Sequence, residues 1–195
     1  MTARRMIVIS RWAASITTAA IAACALISSG AHAQEAGGGP DRDGGFRGIK
    51  NVVLVHGAFA PDQGESLLDL LGAYPTPIGN ELIVDQFGFI TLTTNGVREH
   101  FAQDMTDTEQ TVIAAVQGPT SVAAFITQIT TTAWKLKPTW YVVAQEDRTI
   151  SPDLERLFAR RMNATTIEMP TSHVPILSRP SKIAAFISRA ARDLR

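Results

Sequence analysis

The stretch Pro138-Thr139-Trp140-Tyr141-Val142-Val143-Ala144-Gln145-Glu146-Asp147 decides the fold. Its run of aromatic and β-branched residues predicts a strand. Ser151-Pro152 then opens a helix with Leu154, Leu157, Phe158 and Met162 on one face. Ala164 to Met169 reads as a second strand, ended by Pro170. Pro180 begins a second helix with Ile183, Phe186, Ile187 and Ala190 inward. Strand, helix, strand and helix in this order predict a doubly wound parallel sheet.

A third strand lies far upstream. Lys50 to Val55 holds four consecutive apolar residues, three of them valine. Such runs suit strands buried on both faces of a parallel sheet. His56-Gly57-Ala58-Phe59-Ala60 comes directly after it. Between Pro61 and Lys137 the pattern turns helical and irregular. Glu65 to Tyr74 predicts a short helix with Leu67, Leu68 and Leu71 inward, broken at Pro75-Thr76-Pro77. Phe87 to Leu92 predicts a small hairpin around Gly88. Val97 to Met105 predicts a helix with Val97, Phe101 and Met105 spaced by four. Thr106-Asp107-Thr108-Glu109 is a capping box for a helix with Val112, Ile113 and Val116 on one face, closed at Gly118-Pro119. Ser121 to Ile126 reads as a further helical stretch.

The N-terminus carries an export pattern. Arg4, Arg5 and Arg11 precede an apolar run from Trp12 to Ile27, and Ala31-His32-Ala33 supplies a small-x-small cleavage site. Residues 1–33 are therefore expected to be a signal peptide, and the destination periplasmic or secreted. Both general export and a twin-arginine route fit the Arg4-Arg5 start. Residues 34–49, rich in Gly, Asp and Arg, read as a flexible linker. The competing reading, a membrane anchor, suffers from a short run containing Ser and Thr, so no membrane span is expected after cleavage.

Eighteen basic and eighteen acidic residues give no positive surplus, which argues against nucleic acid as a partner. Cys24, the only cysteine, lies within the signal, so no disulfide or thiolate chemistry is expected of the mature chain. His32, His56, His100 and His173 have no metal-ligand spacing, and neither a metal nor another cofactor is expected. The sequence sets no oligomeric state.

Three groups fall just after strands, where open α/β sheets gather their active residues. They are His56-Gly57, Asp147 and His173. A carboxylate orients an imidazole, and the imidazole serves as general base for a hydroxyl. An isolated histidine or aspartate after a strand is more often a cap or a loop charge; the order and the placement give these weight.

Asn51 to Ala60, Trp140 to Pro152 and Ser172-His173-Val174-Pro175-Ile176-Leu177-Ser178 resemble the α/β-hydrolase superfamily. More narrowly, they look like its bacterial members related to plant methylesterases and hydroxynitrile lyases. The resemblance covers residues 50–195. It implies Asp147 and His173 as the acid and base, Gly57, Ala58 and Phe59 as the oxyanion-hole loop, residues 61–137 as a mainly helical cap, and a small-molecule ester or an apolar ligand as the partner. One departure is large. No Gly-x-Ser-x-Gly nucleophile turn occurs. Ala58-Phe59-Ala60 runs straight into Pro61-Asp62-Gln63-Gly64-Glu65-Ser66, as if two family phrases had fused across an in-frame deletion. The expected fold is thus a partial doubly wound sheet of α/β-hydrolase type with its central strands absent, less stable than a full-length relative. Ser66, without flanking glycines, is a poor substitute nucleophile, and Ser121, Ser151, Ser172 and Ser178 read as caps or turn residues. The implied function is that of a serine-type ester hydrolase by lineage, with the relay retained and the nucleophile missing, which leaves activity open. Carbon–carbon lyase chemistry is a lesser variant, and a non-catalytic remnant or an apolar-ligand binder is the alternative.

Overall fold

The computed structural model describes residues 59–193. The expected signal, linker and first strand, together with His56, Gly57 and Ala58, lie outside the described residues. In chain order the elements are α1 (Leu67–Ala73), a 3-10 turn (Pro77–Glu81), β1 (Leu82–Val84), β2 (Phe89–Leu92) and α2 (Thr94–Gly96), which runs into a π-helical turn (Val97–Phe101). Next come α3 (Asp107–Val116), β3 (Thr120–Ser121), α4 (Ala123–Ile126) and a 3-10 turn (Ala133–Leu136). The last part holds β4 (Trp140–Ala144), α5 (Pro152–Arg161), β5 (Thr165–Met169), α6 (Pro175–Ser178) and α7 (Pro180–Asp193).

The β4–α5–β5–α7 unit forms as its sequence dictates. β4 and β5 pair in parallel, in a register running from Trp140 opposite Thr165 to Ala144 opposite Met169. Side chains on a strand alternate between faces. Tyr141 and Val143 therefore pack with Leu154, Phe158 and Ala159 of α5, while Trp140 and Val142 pack with Phe186 and Ala190 of α7. Helices on both faces make this a doubly wound unit, and the family-type sheet is partial. Asn163, at φ 47°, turns the chain out of α5 in the left-handed conformation that ends many helices. Arg161, in the last turn of α5, grips both carboxylate oxygens of Glu65 and so ties this unit to the start of α1.

The second part is cap-like: β1, β2 and β3 make an antiparallel sheet among short helices. Several expectations need correction here. The hairpin reaches back to Leu82, because the Asp85 carboxylate accepts the N–H groups of Phe87 and Phe89 and closes the turn, with Gly88 at φ +78°. The helix expected over Val97 to Met105 is a π turn that stops at Phe101, its wider coil closed by Ala102 N–H on Val97 O at 2.8 Å. Ser121 to Ile126 splits into β3 and α4, since Thr120 and Ser121 pair with β2. In α1 the buried residue is Leu70, and Leu68 is exposed. The capping box of α3 is present, with Thr106 and Glu109 in their expected roles. Its apolar face is rotated, however: Gln110 is buried while Val112 and Val116 are exposed. The Gln110 amide donates to the carbonyls of Ala102 and Met105, just after the π turn, and this fixes how α3 sits.

Gly96, in α2, is closely packed. A Cβ there would lie 2.6 Å from Glu81 Cβ. Gly96→Ala is expected to cost about 1–3 kcal/mol through this overpacking, read as a lower urea midpoint. An unchanged midpoint would mean that the turn carrying Glu81 yields freely.

Candidate active site

The parallel ladder extends past the strands into two loops. Gln145 N–H bonds Met169 O at 2.8 Å, and Glu146 N–H bonds Thr171 O at 3.1 Å. These bonds draw the loop after β4 against the loop after β5. Asp147 and His173 meet at this carboxyl end of the strands, with Nδ1 and Oδ2 2.6 Å apart. The Asp147 side chain is fully buried and that of His173 nearly so. The other Asp147 oxygen accepts N–H groups from Thr149 at 2.6 Å and Ile150 at 2.9 Å. A carboxylate held at three points has one orientation. It assigns the imidazole proton to Nδ1, which makes Nε2 the basic nitrogen of the neutral ring. The Phe101 ring lies against His173 with centroids 4.9 Å apart. Asp147 and His173, expected from their places after strands, are thus brought together.

Phe59, from the expected oxyanion-hole loop, turns into the core and meets the Phe158 ring edge-on at 5.8 Å. Gly57 and Ala58 lie outside the described residues. Ser66 is the N-cap of α1, bonded to the Asp69 carboxylate at 2.6 Å, and its hydroxyl is committed there. Ser172 is no simple turn residue: its buried hydroxyl donates to Asp104 of the cap-like part.

Glu155 and Asp104 are absent from the sequence reading, and Glu155 stands directly behind Asp147. Glu155 lies on α5 beside the inward Leu154 and is buried. Its Oε2 accepts the Ala144 N–H at 2.7 Å, at the end of β4. Burial first, then the adjacent Asp147 charge, push its carboxyl up to about 9, so it holds a proton at neutral pH. Its place next to inward Leu154 on α5 predicts burial at most; nothing in the sequence marks it for a role beside Asp147.

A cleft of about 500 Å³ opens between Trp134, Lys135, Arg161 and Asn163, beside the start of β4. Neither Asp147 nor His173 lines it. Among the described residues no three His, Cys, Asp or Glu side chains are grouped to hold a metal ion. No described helix is long and apolar enough to cross a membrane.

A family model described as the alpha/beta hydrolase family matches residues 10–186. Two solved structures share the fold. Polyneuridine aldehyde esterase is 15% identical with a TM-score of 0.51, over 69% of this chain and 58% of that one. A pyrethroid hydrolase from Sphingobium faniae JZ-2 is 19% identical with a TM-score of 0.54, over 68% of this chain and 57% of that one. The chain thus spans less than two thirds of the length of these solved relatives. A search of the curated proteins returns no match.

Proposed function

This chain belongs to the α/β-hydrolase family, and from that premise we propose that it carries the acid–base half of a serine-type carboxylic ester hydrolase without the nucleophile. The observation that carries this reading is the buried 2.6 Å contact between His173 and Asp147 at the carboxyl ends of paired parallel strands. Asp147 holds the imidazole in one tautomer and stabilises its protonated form, and Nε2 takes a proton. The nucleophile turn of this family supplies both a serine hydroxyl and an oxyanion-hole N–H. One such donor is worth about 3 kcal/mol of transition-state stabilisation. With no Gly-x-Ser-x-Gly in the chain, the chemistry left to His173 is general-base activation of water on a small ester. The basic N-terminal start and its cleavage-type Ala31-His32-Ala33 support an exported site of action.

A fluorophosphonate probe tests the reading. No serine should be labelled, and slow hydrolysis of p-nitrophenyl acetate should fall to the buffer rate in His173→Ala. Stoichiometric labelling of a serine would overturn the absence of a nucleophile. An unchanged rate in His173→Ala would remove His173 from the chemistry.

A further inference from the structure

Both loops that carry Asp147 and His173 are held by one short strap of the cap-like part, residues 99–104. Glu99 O accepts from the Arg148 guanidinium at 3.1 Å, and His100 O accepts from the Thr149 hydroxyl at 2.8 Å. The Gln103 amide donates to Glu146 O at 2.6 Å. The Phe101 ring lies on the His173 ring. Ser172, fully buried and next to His173, donates its hydroxyl to Asp104. The strap thus reaches both halves of the pair.

The helical geometry explains why these groups are available. The last carbonyls of any helix lack intrahelical partners, and a π turn ends abruptly. Arg148 and Thr149 of the Asp147 loop fill the vacant positions at Glu99 and His100. Single π turns inside helices recur at functional sites.

Asp104 makes a second point. Its Oδ2 is buried and has no hydrogen-bond partner among the described residues. A carboxyl with one buried, unpartnered oxygen is a costly way to hold a loop. An apolar side chain would serve stability better, so what Asp104 supplies is a directed acceptor for Ser172.

We propose that the π-turn strap is the template that sets the Asp147–His173 geometry, with Asp104 as a positioning residue acting through Ser172. Resting on the acid–base reading above, this makes the cap-like part a working component of the relay as well as a cover. Any movement of the strap shifts Asp147 and His173 together.

The test reads the pair itself by proton NMR on the full chain with 15N-labelled histidine. A strong Nδ1–H bond to a buried carboxylate gives a low-field proton protected from exchange. In the unaltered protein this resonance should be present, and Asp147→Asn should abolish it. Absence of the resonance, or its survival in Asp147→Asn, would sink the acid–base reading and leave the strap nothing to position.

Given the resonance, Asp104→Ala and Ser172→Ala should each lose it to exchange. The double variant should lose no more, because both remove one bond. Asp104→Asn, whose amide oxygen still accepts from Ser172, should restore it. If Asp104→Ala proves unfolded by circular dichroism, Ser172→Ala, which removes a single oxygen atom, decides. A sharp, unshifted resonance in Ser172→Ala would overturn the proposal. A purely structural role would lower stability and leave that proton where it is.

Discussion

Replacing Phe158 by Ala is expected to lower the unfolding free energy by about 3–5 kcal/mol. The melting midpoint should fall by roughly 10 °C. Phe158 is fully buried at the centre of the largest apolar cluster. That cluster draws on distant stretches of the chain: Tyr141 and Val143 of β4, Leu154 of α5, Leu70 of α1, Trp134, and Phe59 and Ala60 at the start of the described residues. The ring therefore joins the β4–α5–β5 unit to the segment on which the two family phrases meet. In a chain expected to lack central strands, that junction cannot be spread over a wide sheet. Removing the ring leaves a cavity among Tyr141, Val143, Leu154 and Phe59 at that junction. Urea midpoints and the near-ultraviolet circular dichroism of Trp134 and Trp140 measure the effect. Val112→Ala, on the exposed face of α3, is the control and should stay within about 0.5 kcal/mol. A change below about 1 kcal/mol in Phe158→Ala would show that the cluster does not join the two parts.

The parts legible in the sequence are those in which one physical effect dominates. The continuous apolar run at Trp140–Ala144 has to be buried on both faces, and α5 and α7 supply the cover. Asp147 and His173 were legible for a related reason. Each sits in the loop after a strand of that unit, and parallel strands bring such loops to one edge of the sheet. The cap-like part was less legible because polar contacts override its apolar periodicity. The buried Gln110 amide turns α3 so that Val112 and Val116 face water. The π turn interrupts the spacing of four that runs from Val97 to Met105. Asp104 and Glu155 were invisible as site residues for a different reason. Each acts through a partner that only folding supplies: Ser172, 68 residues away, for Asp104, and Ala144 and Asp147, across the β4–α5 connection, for Glu155. No local pattern marks a carboxyl group for such a role.

Glu155 gives the second large effect, and its sign is set by proton binding. Its carboxyl is raised from an ordinary 4.5 to about 9 in the folded chain, by burial and then by the charge of Asp147. The folded state thus holds a proton that the unfolded state releases above pH 4.5. The stability this contributes is full below about pH 4.5, declines as pH rises, and is gone above about 9. One such proton steepens the stability–pH curve by up to about 1.4 kcal/mol per pH unit across that window. Glu155→Gln removes the titration while keeping the shape: the amide oxygen can accept the Ala144 N–H, and the amide N–H group can donate toward Asp147. The variant should therefore match the parent near pH 5 and exceed it increasingly from pH 6 to 9, by several kcal/mol at the upper end. Asp147, Arg156 and Tyr141, the charged or ionisable groups around this carboxyl, are present in both proteins, so the difference isolates Glu155. Tyr141, whose phenol burial pushes well above its ordinary range, stays neutral throughout. Urea midpoints at pH 5, 7 and 9 measure the gap. Parallel curves would mean that Glu155 ionises normally in the fold and that Asp147 carries its charge beside a second carboxylate. A widening gap would mean that a neutral carboxylic acid stands behind Asp147, donating to the same carboxylate that His173 needs. In that arrangement Glu155 and His173 share the one Asp147 carboxylate, so a buried acid on α5 is tied to the geometry of the pair.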